Sequence, residues 1–168
     1  MAGAGDVDAD GYADILVGAQ GNADHAGAVY LVRGGSVPRS MSLSSADAEY
    51  GGAVPGDCAG YSVASAGDVN ADGHADILIG SSRAAYGGGD FVTGSAALVL
   101  GSSAPASRSL GSSDATFAGE ALGDFAGASV GSAGDADGNG FDDIVIGALC
   151  NSDGGACAGA AYLLLGGI

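Results

Sequence analysis

The 168-residue sequence is short of positive charge, with 4 Lys and Arg against 20 Asp and Glu and a formal net charge of −16. So few cations cannot neutralise a row of phosphates, which sets aside nucleic acid and anionic membrane surfaces as partners. Trp is absent, aromatic residues make up 6% and Pro numbers 3, so a thick core of large rings is not available. No apolar run approaches the roughly 18 residues that a membrane span needs. Met1-Ala2-Gly3-Ala4-Gly5-Asp6 has no basic stretch leading into an apolar one, so this chain carries no expected signal peptide. Three Cys are too few for a disulfide framework, and no C-x-x-C spacing points to zinc. Charged residues at 14% against apolar ones at 47% invert the composition of disordered chains, so the chain should fold.

What is abundant is Gly and Ala, 34 of each, together 68 of the 168 residues. Their side chains bury little area each, so the fold must be tightly layered. No segment shows helical apolar spacing, whereas short apolar runs broken by Gly, Ser and Asp read as strands and turns.

A nine-residue pattern returns three times. The copies are Asp6-Val-Asp8-Ala-Asp10-Gly11-Tyr-Ala-Asp14, Asp68-Val-Asn70-Ala-Asp72-Gly73-His-Ala-Asp76 and Asp135-Ala-Asp137-Gly-Asn139-Gly140-Phe-Asp-Asp143. Each runs straight into a strand-like stretch: Ile15-Leu16-Val17-Gly18, Ile77-Leu78-Ile79-Gly80 and Ile144-Val145-Ile146-Gly147. The offsets of 62 and 67 residues suit a multi-stranded unit. The repeat extends upstream, where Asp57-Cys-Ala-Gly-Tyr-Ser-Val63 aligns with Asp124-Phe-Ala-Gly-Ala-Ser-Val130, and Asp47-Ala48-Glu49-Tyr50 with Asp114-Ala115-Thr116-Phe117. Downstream, 27–32, 95–100 and 160–165 are versions of one apolar strand. Four short antiparallel strands per unit, in tandem, are the mark of a β-propeller blade. The expected fold is therefore all-β, with three units at approximately 1–53, 54–120 and 121–168, the last incomplete. Small residues on the inner strands let blades approach closely around the axis.

Phe125-Ala-Gly, the acidic loops and Ile144-Val-Ile-Gly147-Ala148 resemble the FG-GAP repeat of integrin α-subunit propellers and related bacterial extracellular proteins. The family's Gly-Ala-Pro is replaced here by Gly18-Ala19-Gln20, Gly80-Ser81-Ser82 and Gly147-Ala148-Leu149. The resemblance implies an extracellular or cell-surface origin for the parent protein and a role in protein interaction or adhesion.

The loops themselves read as calcium sites. Ca²⁺ wants six to eight oxygens, and oxygens at loop positions 1, 3, 5 and 9 with a backbone carbonyl at 7 can wrap one ion. Those positions are Asp6, Asp8, Asp10, the Tyr12 carbonyl and Asp14; Asp68, Asn70, Asp72, the His74 carbonyl and Asp76; and Asp135, Asp137, Asn139, the Phe141 carbonyl and Asp143. An EF-hand would need a bidentate Glu at position 12, where Val17, Ile79 and Ile146 stand, so that reading is rejected. Ten of the 20 acidic residues stand at these ligand positions. Three Ca²⁺ would bring the net charge from −16 to −10.

Three blades form an open arc with uncovered faces, whereas closed propellers have about four to eight. The sequence is therefore expected to be a segment of a larger propeller, completed by self-association, with a dimer of six blades favoured. The loops on the disc face away from calcium offer His25, Arg83, Tyr86, Asp90 and Phe91 as ligand-contact candidates. Cys150 and Cys157 could pair if their flanking strands do, and Cys58, aligned with Phe125, reads as a small buried hydrophobe. No catalytic constellation is visible: His25 and His74 lack a nucleophile partner, there is no G-x-S-x-G, and Gly87-Gly-Gly-Asp90 lacks the Lys of a phosphate loop. The chain is expected not to be an enzyme. A carbohydrate-binding propeller is the alternative to a protein-interaction scaffold, but a lectin should repeat its aromatic and polar loop residues in every unit. These loops differ.

Overall fold

The apolar runs that follow the acidic loops are rich in Ile, Leu and Val, which suit a buried pleated surface, and each forms an interior strand of a sheet. The computed structural model describes residues 1–35, 40–84 and 92–167. In chain order the strands are β1 (Ala2–Gly5), β2 (Asp14–Ala19), β3 (Ala28–Val32), β4 (Ala48–Gly51), β5 (Ser62–Gly67), β6 (Asp76–Ser81), β7 (Ser95–Val99), β8 (Arg108–Ser109), β9 (Ala115–Ala118), β10 (Ala126–Gly134), β11 (Asp143–Ala148) and β12 (Ala160–Leu164). They build three sheets with orders β1-β2-β3-β4-β8, β5-β6-β7-β9 and β10-β11-β12. The fold is all-β and consistent with β-propeller blades.

The same register recurs in each sheet. Leu16 faces Leu31, Leu78 faces Leu98 and Val145 faces Leu163, while Ile15, Ile77 and Ile144 face Val32, Val99 and Leu164. Because side chains alternate across a strand, these two sets point to opposite faces. Leu16, Val29 and Leu31 of the first sheet join Ile77, Ile79, Ala97 and Val99 of the second in one core cluster. Leu78, Ala96 and Leu98 join Ile144 and Ile146 of the third in another. Each sheet thus packs its Leu face on the Ile face of the next.

Small residues set the sheet spacing. A Cβ at Gly18 would collide with the Gly60 carbonyl, and one at Gly80 with the Gly127 carbonyl. Closeness of this kind admits only glycine, so part of the Gly surplus is a packing requirement.

One expectation is corrected. The first sheet is not limited to four antiparallel strands, because β8 adds a fifth, parallel to β4 with Tyr50 opposite Arg108 and Gly51 opposite Ser109. The connection between β7 and β9 runs along the neighbouring sheet and seats Leu110, 7% exposed, in the cluster of Tyr50 and Val99. A two-residue strand has too little pattern to be read from sequence. Asn22–His25 forms a tight turn, with Ala23 and Asp24 at φ of 47° and 54°.

Alternating strands put the acidic loops at one end of the sheets and the 20–27, 52–61 and 119–127 connections at the other. At that second end the Cys58 amide donates to the His25 carbonyl at 2.8 Å, the Ala126 amide to the Thr93 carbonyl at 3.0 Å and the Cys150 amide to the Asp124 carbonyl at 3.0 Å. At the first end the loops touch from sheet to sheet. The Ala75 amide donates to the Asp6 carbonyl at 2.9 Å and the Asp142 amide to the Asp68 carbonyl at 3.1 Å.

Candidate metal centre

In each acidic loop the backbone is folded around its own carboxylates. At position 1, Asp6 accepts the amides of Asp10 (3.0 Å) and Gly11 (2.8 Å), Asp68 those of Asp72 (3.0 Å) and Gly73 (2.9 Å), and Asp135 those of Asn139 and Gly140 (both 2.9 Å). Position 6 is a glycine at φ of 93°, 88° and 92° (Gly11, Gly73, Gly140), a left-handed backbone that closes the turn. Position 4 is left-handed too, with Ala9 and Ala71 both at 57° and Gly138 at 78°. That second left-handed residue is not signalled by Ala.

Position 9 anchors the loop to the sheet. The buried Asp14 accepts the amides of Val7 and Gly34 at 2.8 Å each, and the buried Asp76 those of Val69 and Gly101, also at 2.8 Å. Asp143 repeats the arrangement with Ala136 and Gly166, again at 2.8 Å. Burial raises the Asp14 carboxyl above its ordinary value, the Gly34 and Val7 amides pull it back, and the neighbouring charges of Asp8 and Asp10 raise it further. Asp76 is raised in the same way, by burial and then by Asp72 and Asp68, against the Gly101 and Val69 amides. The carboxylates therefore repel one another, and a cation among them would relieve both the repulsion and the loss of solvent.

Two groups converge among the described residues: Asp6, Asp8 and Asp14, and Asp135, Asp137 and Asp143, with one carboxylate oxygen from each residue lying within 4.8 Å of the others in its group. The second loop has Asn70 where these have Asp8 and Asp137, but its Asp68 and Asp76 make the same backbone contacts. At position 5, Asp10, Asp72 and Asn139 each accept the amide two residues on, from Tyr12 (2.9 Å), His74 (2.9 Å) and Phe141 (2.8 Å), just as Asp8, Asn70 and Asp137 at position 3 accept those of Asp10 (3.3 Å), Asp72 (3.1 Å) and Asn139 (3.0 Å). Asp10 is not in the converging group of its loop. All the donors are hard oxygens, the set that suits Ca²⁺ rather than a thiol- or imidazole-seeking metal.

The FG-GAP repeat family profile matches residues 2–32 and 59–97. Those two stretches are similar to the FG-GAP repeat. The two matched stretches hold the first and second acidic loops with their central strands. The third loop lies outside the matched residues and reproduces their hydrogen bonds. No curated protein matches the chain.

Among the acidic loops the first has a feature that the repeat pattern does not signal. Arg33 spans Asp8 at 3.1 Å and Asp47 at 3.0 Å, placing a cation against the position-3 carboxylate. Leu100 and Leu165 occupy the equivalent strand-end positions, so a lone Arg at an otherwise apolar repeat position was the available signal. In the second loop the His74 ring Nδ1 lies 3.1 Å from the Val7 carbonyl, tying that loop to its neighbour.

At the opposite end His25 and Arg83 are exposed. Tyr86, Asp90 and Phe91, the other ligand-contact candidates, lie outside the described residues. Cys150 and Cys157 form a disulfide. Cys58 is buried and shares the left-handed φ of its counterpart Phe125, 56° against 54°.

Proposed function

We propose that this chain is a calcium-stabilised propeller scaffold of the extracellular type, using the loop end away from the metal to engage a protein partner. The observation that carries the reading is the convergence of Asp6, Asp8 and Asp14, and of Asp135, Asp137 and Asp143, in loops whose backbone is already wrapped as a metal turn. Asp6, Asp8 and Asp14, then Asp68, Asn70 and Asp76, then Asp135, Asp137 and Asp143 would hold about three ions, with Asp10, Asp72, Asn139 and the carbonyls of Tyr12, His74 and Phe141 as further oxygens. The ion supplies positive charge that pins each loop to its sheet. At extracellular-type affinity, calcium at ten times its dissociation constant stabilises by about 1.4 kcal/mol per site. Melting followed in EDTA and in millimolar calcium tests this, and identical curves would sink it. The protein-scaffold reading is favoured over a lectin because Asn22-Ala-Asp24-His25 and Asn151-Ser-Asp153 share no repeated aromatic site. No catalytic role is proposed.

Self-association belongs to the same reading. The Leu face of the third sheet is open: Leu163 is 55% exposed, while its equivalents Leu31 and Leu98 are at 0%. The Ile face of the first sheet, with Ile15, Val17 and Tyr30, is only half-buried. These are the two halves of the interface that the chain makes twice internally, so copies would join head to tail, and two would close a ring of six sheets. Sedimentation should give a dimer that Leu163→Lys converts to monomer. A well-folded monomer of the unaltered chain would refute it.

A further inference from the structure

The residue that follows the third strand of a unit is Arg33 in the first and Leu100 in the second, and its backbone is held alike in both. The Arg33 and Leu100 amides donate to Asp47 (2.9 Å) and Asp114 (2.8 Å), and the next amides, of Gly34 and Gly101, donate to Asp14 and Asp76 at 2.8 Å each. In the first unit this backbone delivers a guanidinium to the acidic loop, with Nη1 3.1 Å from Asp8 Oδ2 and Nε 3.0 Å from Asp47 Oδ1. In the second unit Asp114 is paired with Arg108, and among the described residues that pair is not extended to the second loop.

The first loop also carries the most charge at its side-chain ligand positions. Asp6, Asp8, Asp10 and Asp14 are four carboxylates, against three in each of the other loops, where Asn70 and Asn139 stand in for one. The two oxygens of Asp8 are used differently. Oδ1 accepts the Asp10 amide at 3.3 Å, as Asn70 Oδ1 accepts that of Asp72 (3.1 Å) and Asp137 Oδ1 that of Asn139 (3.0 Å), while Oδ2 accepts Arg33. Asn70 has only its Oδ1 to offer a cation, so in this repeat the oxygen on the amide is the donor and Arg33 holds the other one. The guanidinium therefore does not block the loop. It acts on it through charge.

We propose that Arg33 is a built-in counter-cation of the first acidic loop that sets its calcium affinity, holding Asp8 and offsetting the fourth carboxylate when no ion is bound and weakening calcium binding at that loop. The inference rests on the calcium reading above. Affinity in an all-oxygen loop follows its carboxylate count and rigidity, and a positive charge on one of those carboxylates opposes a divalent ion. The Asp8 side chain is 4% exposed but Arg33 is 45% exposed, so a water-like dielectric applies and the opposition is on the order of tenfold in dissociation constant. On the empty loop the same charge has the opposite effect, because it relieves the repulsion among Asp6, Asp8, Asp10 and Asp14. An arginine that merely tied β3 to β4 through Asp47 would matter equally with and without calcium.

The test uses the intact chain and terbium, an oxygen-seeking stand-in for calcium whose emission is sensitised by a nearby tyrosine ring. Tyr12 is the one tyrosine within the three acidic loops, so tyrosine-excited emission reports the first loop, and Tyr12→Phe should remove it. Calcium is titrated against bound terbium in the unaltered chain, in Arg33→Leu, which copies the second unit, and in Arg33→Lys, which keeps the charge. Arg33→Gln supplies a second neutral variant should leucine disturb folding. Calcium is expected to displace terbium from the neutral variants at a roughly tenfold lower concentration, with Arg33→Lys within about threefold of the unaltered chain. The neutral variants should also melt lower than the unaltered chain in EDTA, with the gap narrowing in millimolar calcium. Unchanged or weaker calcium binding by both neutral variants, or a gain in Arg33→Lys equal to theirs, would overturn the proposal while leaving the calcium reading standing. No Tyr12-dependent emission in any of the chains would overturn both.

Discussion

Replacing Asp76 and Asp72 separately distinguishes what the acidic loops do for the fold from what they do for an ion. Asp76 is 0% exposed, and its two oxygens take the Val69 and Gly101 amides at 2.8 Å each. Asp76→Ala leaves both amides buried without a partner, at about 1–3 kcal/mol each. Removing a buried carboxylate returns part of that, since burial is the largest influence raising its pKa. The net loss in EDTA is expected at about 2–4 kcal/mol, or roughly 5–15 °C of melting temperature for a chain of this size. Asp72 is exposed and accepts the His74 amide at 2.9 Å. Asp72→Ala should therefore cost no more than about 1 kcal/mol in EDTA and lose most of the increment that calcium adds at that loop. Urea unfolding with and without calcium measures all four quantities. If Asp76→Ala in EDTA stays within about 1 kcal/mol of the unaltered chain, the anchoring role argued for position 9 is wrong.

Two further outcomes follow from the packing and the charges. Gly80→Ala would drive a Cβ into the Gly127 carbonyl and the Ser62 hydroxyl, whereas one at Gly131 meets nothing within 4 Å. The first should cost about 2 kcal/mol or more and the second less than about 1 kcal/mol, and equal urea midpoints would contradict the close-approach argument. In EDTA, stability should pass through a maximum at mildly acidic pH. Burial raises Asp14 and Asp76 above their ordinary 3.8, so the unfolded chain releases those protons first and stability falls as pH rises through that interval. Asp47 is lowered by the Arg33 amide, and Asp114 is lowered because the Arg108 side chain and the Leu100 amide outweigh its burial. Their contributions are present above 3.8 and lost as pH falls through their depressed values. A steady decline from neutral pH downward would show that the buried carboxyls are not raised.

The parts of this molecule that repeat were legible in its sequence, because three copies of one pattern corroborate each other. The strands after the acidic loops, the outer strands at Ala48 and Ala115 and the inner strand at Ser62 all fall where the alignment of repeats puts them. What escaped reading occurs once or depends on contact between units. β8 has two residues and no periodicity, and it exists because Leu110 finds a pocket on the next sheet. Arg33 on Asp8 is a contact across 25 positions that only one unit makes. The left-handed Ala9 and Ala71 are imposed by the loop, since Ala favours that backbone no more than other L-residues do. The alternatives left open for Cys150 and Cys157 were settled by strand pairing, which brings the ends of β11 and β12 together.

Calcium titration calorimetry on the chelator-treated chain tests the central claim most directly. About three ions per chain should bind, falling by one with each of Asp6→Ala, Asp68→Ala and Asp135→Ala. No calcium-dependent heat, or a stoichiometry that ignores these substitutions, would mean that the loops are acidic turns and not metal sites.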